Sequence, residues 1–141
     1  MSDPAAIARD YLESFNNRDW DKMRSLFHPQ YSYTGGDGQK QQGPEAGVAI
    51  AQMFSGAMSD AKIKIDRIHA SGDTAVTEFT GSGTQDGAFM GIPASGRKVS
   101  MPVCNVIEIR DGKIYAEREY MDAAHLFQQM GATAIPQPAT A

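Results

Sequence analysis

At 141 residues the chain has the length of one domain, enough to enclose a core and a ligand cavity. Thirteen Lys and Arg against seventeen Asp and Glu give a net charge of -4 with no basic cluster, which argues against nucleic acid and anionic membrane as partners. No apolar run approaches the roughly 20 residues of a membrane span, Met1-Ser2-Asp3-Pro4 lacks the charged and apolar regions of a signal peptide, and a lone Cys104 excludes a disulfide framework and a thiol-rich metal site.

A cytoplasmic protein is therefore expected. Ser2 or Asp3 is placed to cap a first helix, with Pro4 in its first turn and Ile7, Tyr11, Leu12 and Phe15 on one face. Asp19 is placed to cap a second, carrying Trp20, Met23, Leu26 and Phe27 and ending at Pro29. Tyr31 and Tyr33 alternate as in a short strand, Gly35–Gln42 reads as a loop, and Gly43-Pro44-Glu45 opens a third helix with Val48, Ile50, Met53, Phe54 and Met58. The period then changes to two: strands are expected from Ile63, over Ala75–Thr84, over Val99–Ile109 and over Ile114–Asp122. A helix over Ala123–Met130 closes the pattern. The expected fold class is α+β, a cone-shaped half-barrel with helices packed in the concave face of a curved antiparallel sheet. Residues 1–131 form its single domain, and 132–141 form a flexible tail.

The last hairpin permits a sharper expectation. With Asp111-Gly112 as a two-residue turn, Ile109 faces Ile114, Ile107 faces Ala116, Asn105 faces Arg118, Val103 faces Tyr120 and Met101 faces Asp122. This face is apolar apart from Asn105, Arg118, the Tyr120 hydroxyl and Asp122, and it is expected to be the concave one. Desolvation by Met101, Phe54 or Phe89 would raise the pKa of Asp122, while Arg118 would oppose that. A carboxylate made more basic in a dry cavity is suited to taking a proton from carbon beside a carbonyl. The alternative role for Asp122, directly before Ala123, is to cap the closing helix.

The segments G-T-Q-D-G-A-F-M-G-I-P-A-S-G-R, D-G-K-I and E-Y-M-D-A-A-H-L-F-Q-Q-M-G resemble the SnoaL-like polyketide cyclase family, of the nuclear-transport-factor-2-like superfamily. The likeness extends over Ala6–Phe27 and Gly43–Phe54. The resemblance implies a cofactor-free intramolecular aldol closure of a hydrophobic, polyketide-type carbonyl substrate. Asp122 is then the general acid/base, and Asn105 and Arg118 hydrogen-bond substrate oxygens. Trp20, Tyr33, Phe54, Phe79, Phe89, Met101, Val103 and Tyr120 shape the pocket. Gln85 is also assigned to it, standing where many relatives carry histidine. The strand V-C-N-V-I-E-I-R-D-G-K-I and the ending E-Y-M-D also resemble limonene-epoxide hydrolase. That enzyme's water-holding arginine and second aspartate fall here at Phe79 and Gly81, which cannot do acid–base work. Ketosteroid-isomerase chemistry needs only one carboxylate base and an oxyanion donor, for which Tyr33 or Tyr120 qualifies.

His28, His69 and His125 lie far apart in sequence, so no metal site is expected. The glycines from Gly81 to Gly96 precede no helix and no G-K-S/T, so they read as a bulged connection rather than a phosphate loop. Cys104 has no basic neighbour on its face and is not expected to act as a nucleophile. Val106, Tyr115 and Met121 are expected on the convex face, apolar enough for a homodimer through the sheets. Two classes follow: a cyclase or isomerase using Asp122, or a non-catalytic ligand-binding or assembly module. They differ in whether Asp122 lies in a closed cavity or is spent as a helix cap.

Overall fold

The computed structural model describes residues 3–134, so residues 135–141 of the expected tail lie outside the described residues. The elements are α1 (Pro4–Asn16), α2 (Trp20–Leu26), β1 (Phe27–Thr34), β2 (Lys40–Gln42), α3 (Pro44–Ala57), β3 (Lys62–Ser71), β4 (Thr74–Thr84), β5 (Lys98–Arg110), β6 (Lys113–Tyr120) and α4 (Ala123–Gln129). Among the described residues no helix is long and apolar enough to cross a membrane.

The six strands form one sheet in the order β2-β1-β6-β5-β4-β3. Neighbours are antiparallel except β1 and β6, which run parallel, so the expected antiparallel sheet is mixed within the expected α+β half-barrel. β1 begins at Phe27 straight after α2, and Pro29 lies inside the strand instead of ending a helix. The pairing with β6 is irregular between Phe27 and Ser32, where a residue without an N–H breaks no ladder bond. β2 occupies part of the segment expected as loop.

Side chains at the helix ends fix how the helices lie in the sheet. Asp3 caps α1 by accepting from the N–H groups of Ala5 and Ala6 at 3.0 and 3.4 Å. At its other end, Asn16 exchanges two hydrogen bonds with the backbone of Ile63, at 2.8 and 2.7 Å. Arg18, in the left-handed region at φ 53°, donates to the carbonyls of Phe15, Ser59 and Ala61. These contacts tie the end of α1 to the start of β3.

α3 packs against β1 through Gly47. A Cβ there would come within 2.7 Å of the Tyr31 ring and 2.8 Å of the Phe27 ring, which stack on each other at 4.0 Å. Gly47→Ala gains helix propensity, but in a close-packed interior the clash outweighs it. We expect a loss of about 1–3 kcal/mol, read by urea denaturation.

The hairpin of β5 and β6 departs from the expected register at one point. Arg110 pairs with Lys113 and Ile109 with Ile114, as expected across Asp111-Gly112. A bulge then intervenes: Glu108 pairs with Ala116, Ile107 with Glu117, Asn105 with Glu119 and Cys104 with Tyr120. The extra residue reverses the facing of everything in β6 beyond it. On β5, Met101, Val103, Asn105, Ile107 and Ile109 are buried on the inner face as expected, but on β6 the inner positions after Ile114 are Glu117 and Glu119.

Candidate active site

The concave face encloses a cavity of about 110 Å³ between the sheet, α1 and α3. Its wall is apolar over most of its extent, with Phe15, Ile50, Phe54, Phe79, Met101 and Val103 among the lining residues. Tyr11, Tyr33, Asn105 and Glu119 form a polar end, and Lys62 and Ser82 also border the space.

Behind that polar end lies a second carboxyl, Glu117, only 1% exposed. Its Oε1 accepts from the hydroxyls of Tyr31 at 2.6 Å and Tyr11 at 2.8 Å, and its Oε2 accepts from the Asn105 amide at 2.7 Å. Glu119 accepts from the Tyr33 hydroxyl at 2.8 Å. These residues reach this point from four elements: Tyr11 from α1, Tyr31 and Tyr33 as alternate residues of β1, Asn105 from β5, and both glutamates as alternate residues of β6. Side chains two apart on a strand share a face.

Burial pushes both carboxyls above the ordinary glutamate value of 4.5. For Glu117 the neighbouring Glu119 carboxylate adds to the rise, while the bonds from Tyr31 and Tyr11 act against it. For Glu119 the bond from Tyr33 and the nearby Asn105 amide oppose burial. The phenols of Tyr11, Tyr31 and Tyr33 are pushed up well above their usual value, first by burial and then by the nearby carboxylates. They remain protonated, so they serve as hydrogen-bond donors. Among the described residues two buried side-chain oxygens lack a hydrogen-bond partner, Asn105 Oδ1 and Thr77 Oγ1.

Of the residues expected at the site, Asn105, Tyr33, Phe54, Phe79, Met101 and Val103 all meet at the cavity. The other expectations need correction. Asp122 is exposed and sits at the N-cap of α4, where its carboxylate accepts from the His125 N–H at 3.1 Å. Arg118 points away from the cavity and pairs with Glu108, and Tyr120 is 52% exposed. All three were placed inside by carrying a strict alternation through the bulge. For the same reason Met121, expected on the convex face, lines the cavity instead.

Trp20 packs edge-on against Phe15, with ring centroids 6.1 Å apart, and does not line the cavity. Phe89 is buried behind the wall between Phe54 and Phe127, 5.4 and 6.2 Å away. Gln85 is fully buried and organises the connection from β4 to β5. Its Nε2 lies 3.2–3.3 Å from the carbonyls of Gly87, Ile92 and Pro93, and its Oε1 accepts from the Ser95 hydroxyl at 2.7 Å.

Sequence reasoning missed Glu119, Glu117, Tyr11 and Tyr31. The available signal was Tyr31 and Tyr33 at strand spacing together with Glu117 and Glu119 at the same spacing. As the cap of α4, Asp122 carries a stability prediction: Asp122→Ala is expected to cost about 1 kcal/mol, visible in thermal unfolding.

The family model of the SnoaL-like polyketide cyclases matches residues 5–130. The chain belongs to this family. The SnoaL-like chain is 27% identical over 134 residues to aklanonic acid methyl ester cyclase DnrD of Streptomyces peucetius, covering 93% of this chain and 92% of that one. Among solved structures it matches wild-type IdmH of Streptomyces antibioticus with a TM-score of 0.79 at 25% identity, over 92% of this chain and 99% of that one. A protein of ketosteroid isomerase-like fold from Catenulispora acidiphila superimposes with a TM-score of 0.78 over 94% of this chain and 97% of its own, and at 16% identity this shows the fold alone. Within the SnoaL-like frame, Gln85 is tied up in holding its own loop, and the polar end of the cavity belongs to Glu119, Tyr33, Asn105 and Tyr11.

Proposed function

We propose that this SnoaL-like protein closes a ring in a hydrophobic, polyketide-type carbonyl substrate by intramolecular aldol addition, with Glu119 as the general acid/base. The observation that carries this reading is a carboxyl lining an apolar cavity and made more basic by burial, in a family whose relative DnrD bears the name of a cyclase. A base of raised pKa is suited to removing a proton from carbon activated by a carbonyl.

In this reading the ionised Glu119 takes the proton, and the electron pair moves onto the carbonyl oxygen as an enolate. The Tyr33 hydroxyl, released from Glu119 as that carboxylate becomes protonated, turns to donate to the enolate oxygen. The enolate carbon then attacks a second carbonyl of the same substrate, forming the new carbon–carbon bond. The resulting alkoxide recovers the proton from Glu119. Glu117 remains behind the wall, holding Tyr11 and Asn105 in position.

Deuterium exchange into β-keto esters, anthraquinone-type esters and β,γ-enones tests the reading. Exchange catalysed by the wild type and lost in Glu119→Gln is the expected result. Exchange that persists in Glu119→Gln but disappears in Asp122→Asn would move the base to the α4 cap, and no exchange in any of the three proteins would leave a ligand-binding module.

A further inference from the structure

The glycines near the cavity differ in why a side chain is missing. A Cβ on Gly83 would come within 2.9 Å of Met58 Cβ, and one on Gly87 within 2.2 Å of the Gly56 carbonyl oxygen, so close packing requires both. Gly81 has no such reason. A Cβ there would meet nothing within 4 Å, and Gly81 is not among the glycines of positive φ. Glycine inside a strand weakens it, through chain entropy and the packing that is lost.

Gly81 faces the cavity. It is two residues from Phe79 on β4 and pairs with Met101 on β5 and Ile63 on β3, and all four residues line the space. The side chain missing at Gly81 is therefore volume inside the cavity.

The sheet register gives the distance from this volume to the polar end. Asn105 pairs with Glu119 on one side and with Thr77 on the other. Gly81 is four residues beyond Thr77, about 13 Å along the strand. We infer that Gly81 is a specificity-determining position, which makes room for the far end of a flat, extended, apolar substrate whose reacting carbon lies at Glu119. Such a ligand is about three fused rings long; a single ring held at Glu119 does not reach Gly81. The inference rests on the proposed role of Glu119 for the position of the reacting end.

The test compares binding of two probes to the full chain, methyl anthraquinone-2-carboxylate with three fused rings and methyl benzoate with one, by titration followed in ¹⁵N NMR. Gly81→Leu is expected to weaken the three-ring probe by about 10-fold or more, the scale of a few misplaced carbons in an apolar pocket. It is expected to leave the one-ring probe unchanged. Gly81→Ala, which adds a single carbon in open space, is expected to melt no lower than the wild type and to give an intermediate loss.

Equal affinity of wild type and Gly81→Leu for the three-ring probe would overturn the inference. So would failure of the wild type to bind that probe, or a lower melting temperature in Gly81→Ala, which would show that the glycine is needed for folding. The readout is binding, so the same pattern is expected in a Glu119→Gln background. That pattern without deuterium exchange would sink the acid–base reading and leave the size selectivity standing.

Discussion

Replacing Glu119 by glutamine is expected to lower turnover on an accepted carbonyl substrate by about 10²- to 10⁴-fold, the usual contribution of a positioned general base. The substitution keeps the shape of the side chain and an oxygen able to accept from Tyr33, so near-UV circular dichroism should be unchanged. What disappears is the basic carboxylate that takes the proton. The control is Asp122→Asn, because asparagine caps a helix about as well as aspartate. With its carboxylate exposed and bonded to the His125 N–H, Asp122 should tolerate this change with a rate within a few-fold of the wild type. If the two variants behave in the opposite way, the bulge in β6 has been assigned the wrong consequence.

The second large effect concerns stability. Glu117 accepts from Tyr11, Tyr31 and Asn105, and both Tyr31 and Asn105 are at most 1% exposed. Glu117→Leu leaves all three donors unpaired inside the protein. At about 1–3 kcal/mol for each orphaned group, the expected loss is about 3 kcal/mol or more by chemical denaturation. Glu117→Gln should be far milder. Its carbonyl oxygen still accepts from the tyrosines, and a rotation of the Asn105 amide would present the unpartnered Oδ1 to the new NH₂ group.

The pair also sets a dependence on pH. Both carboxyls have folded-state pKa values raised above the ordinary 4.5. At pH above that value the unfolded chain releases protons that the folded chain still holds. The contribution of these groups to stability is therefore complete below pH 4.5 and is lost as pH rises through the raised values. The melting temperature of the wild type is expected to fall between pH 5 and 8 by an amount on the order of 5 °C. The fall should be smaller in Glu117→Gln, in which the side chain at that position stays uncharged throughout. A melting temperature that climbs over this range in both proteins would contradict the burial of the two carboxyls.

Much of this architecture follows from local pattern. The caps at Asp3 and Asp19, the proline that opens α3, the Asp111-Gly112 turn and the alternation of β5 are decided by residues a few positions apart, and so the helices, the hairpin and its inner face on β5 were legible. Cavity residues on well-patterned elements, such as Phe54, Phe79, Met101, Val103 and Asn105, came with them. The identity of the carboxyl that lines the cavity did not. Glu117, Arg118 and Glu119 are polar at either parity, so their hydrophobicity carries no information about which of them face inward. That choice depends on one bulge and on the parallel pairing of β6 with β1, which sets Tyr33 beside Glu117 from a point 84 residues earlier in the chain. A contact of that range has no periodicity to announce it. The elements and one wall of the cavity were written in neighbouring residues, whereas the facing of β6, and with it the presence of Glu119 instead of Asp122 at the cavity wall, was decided only when the strands met.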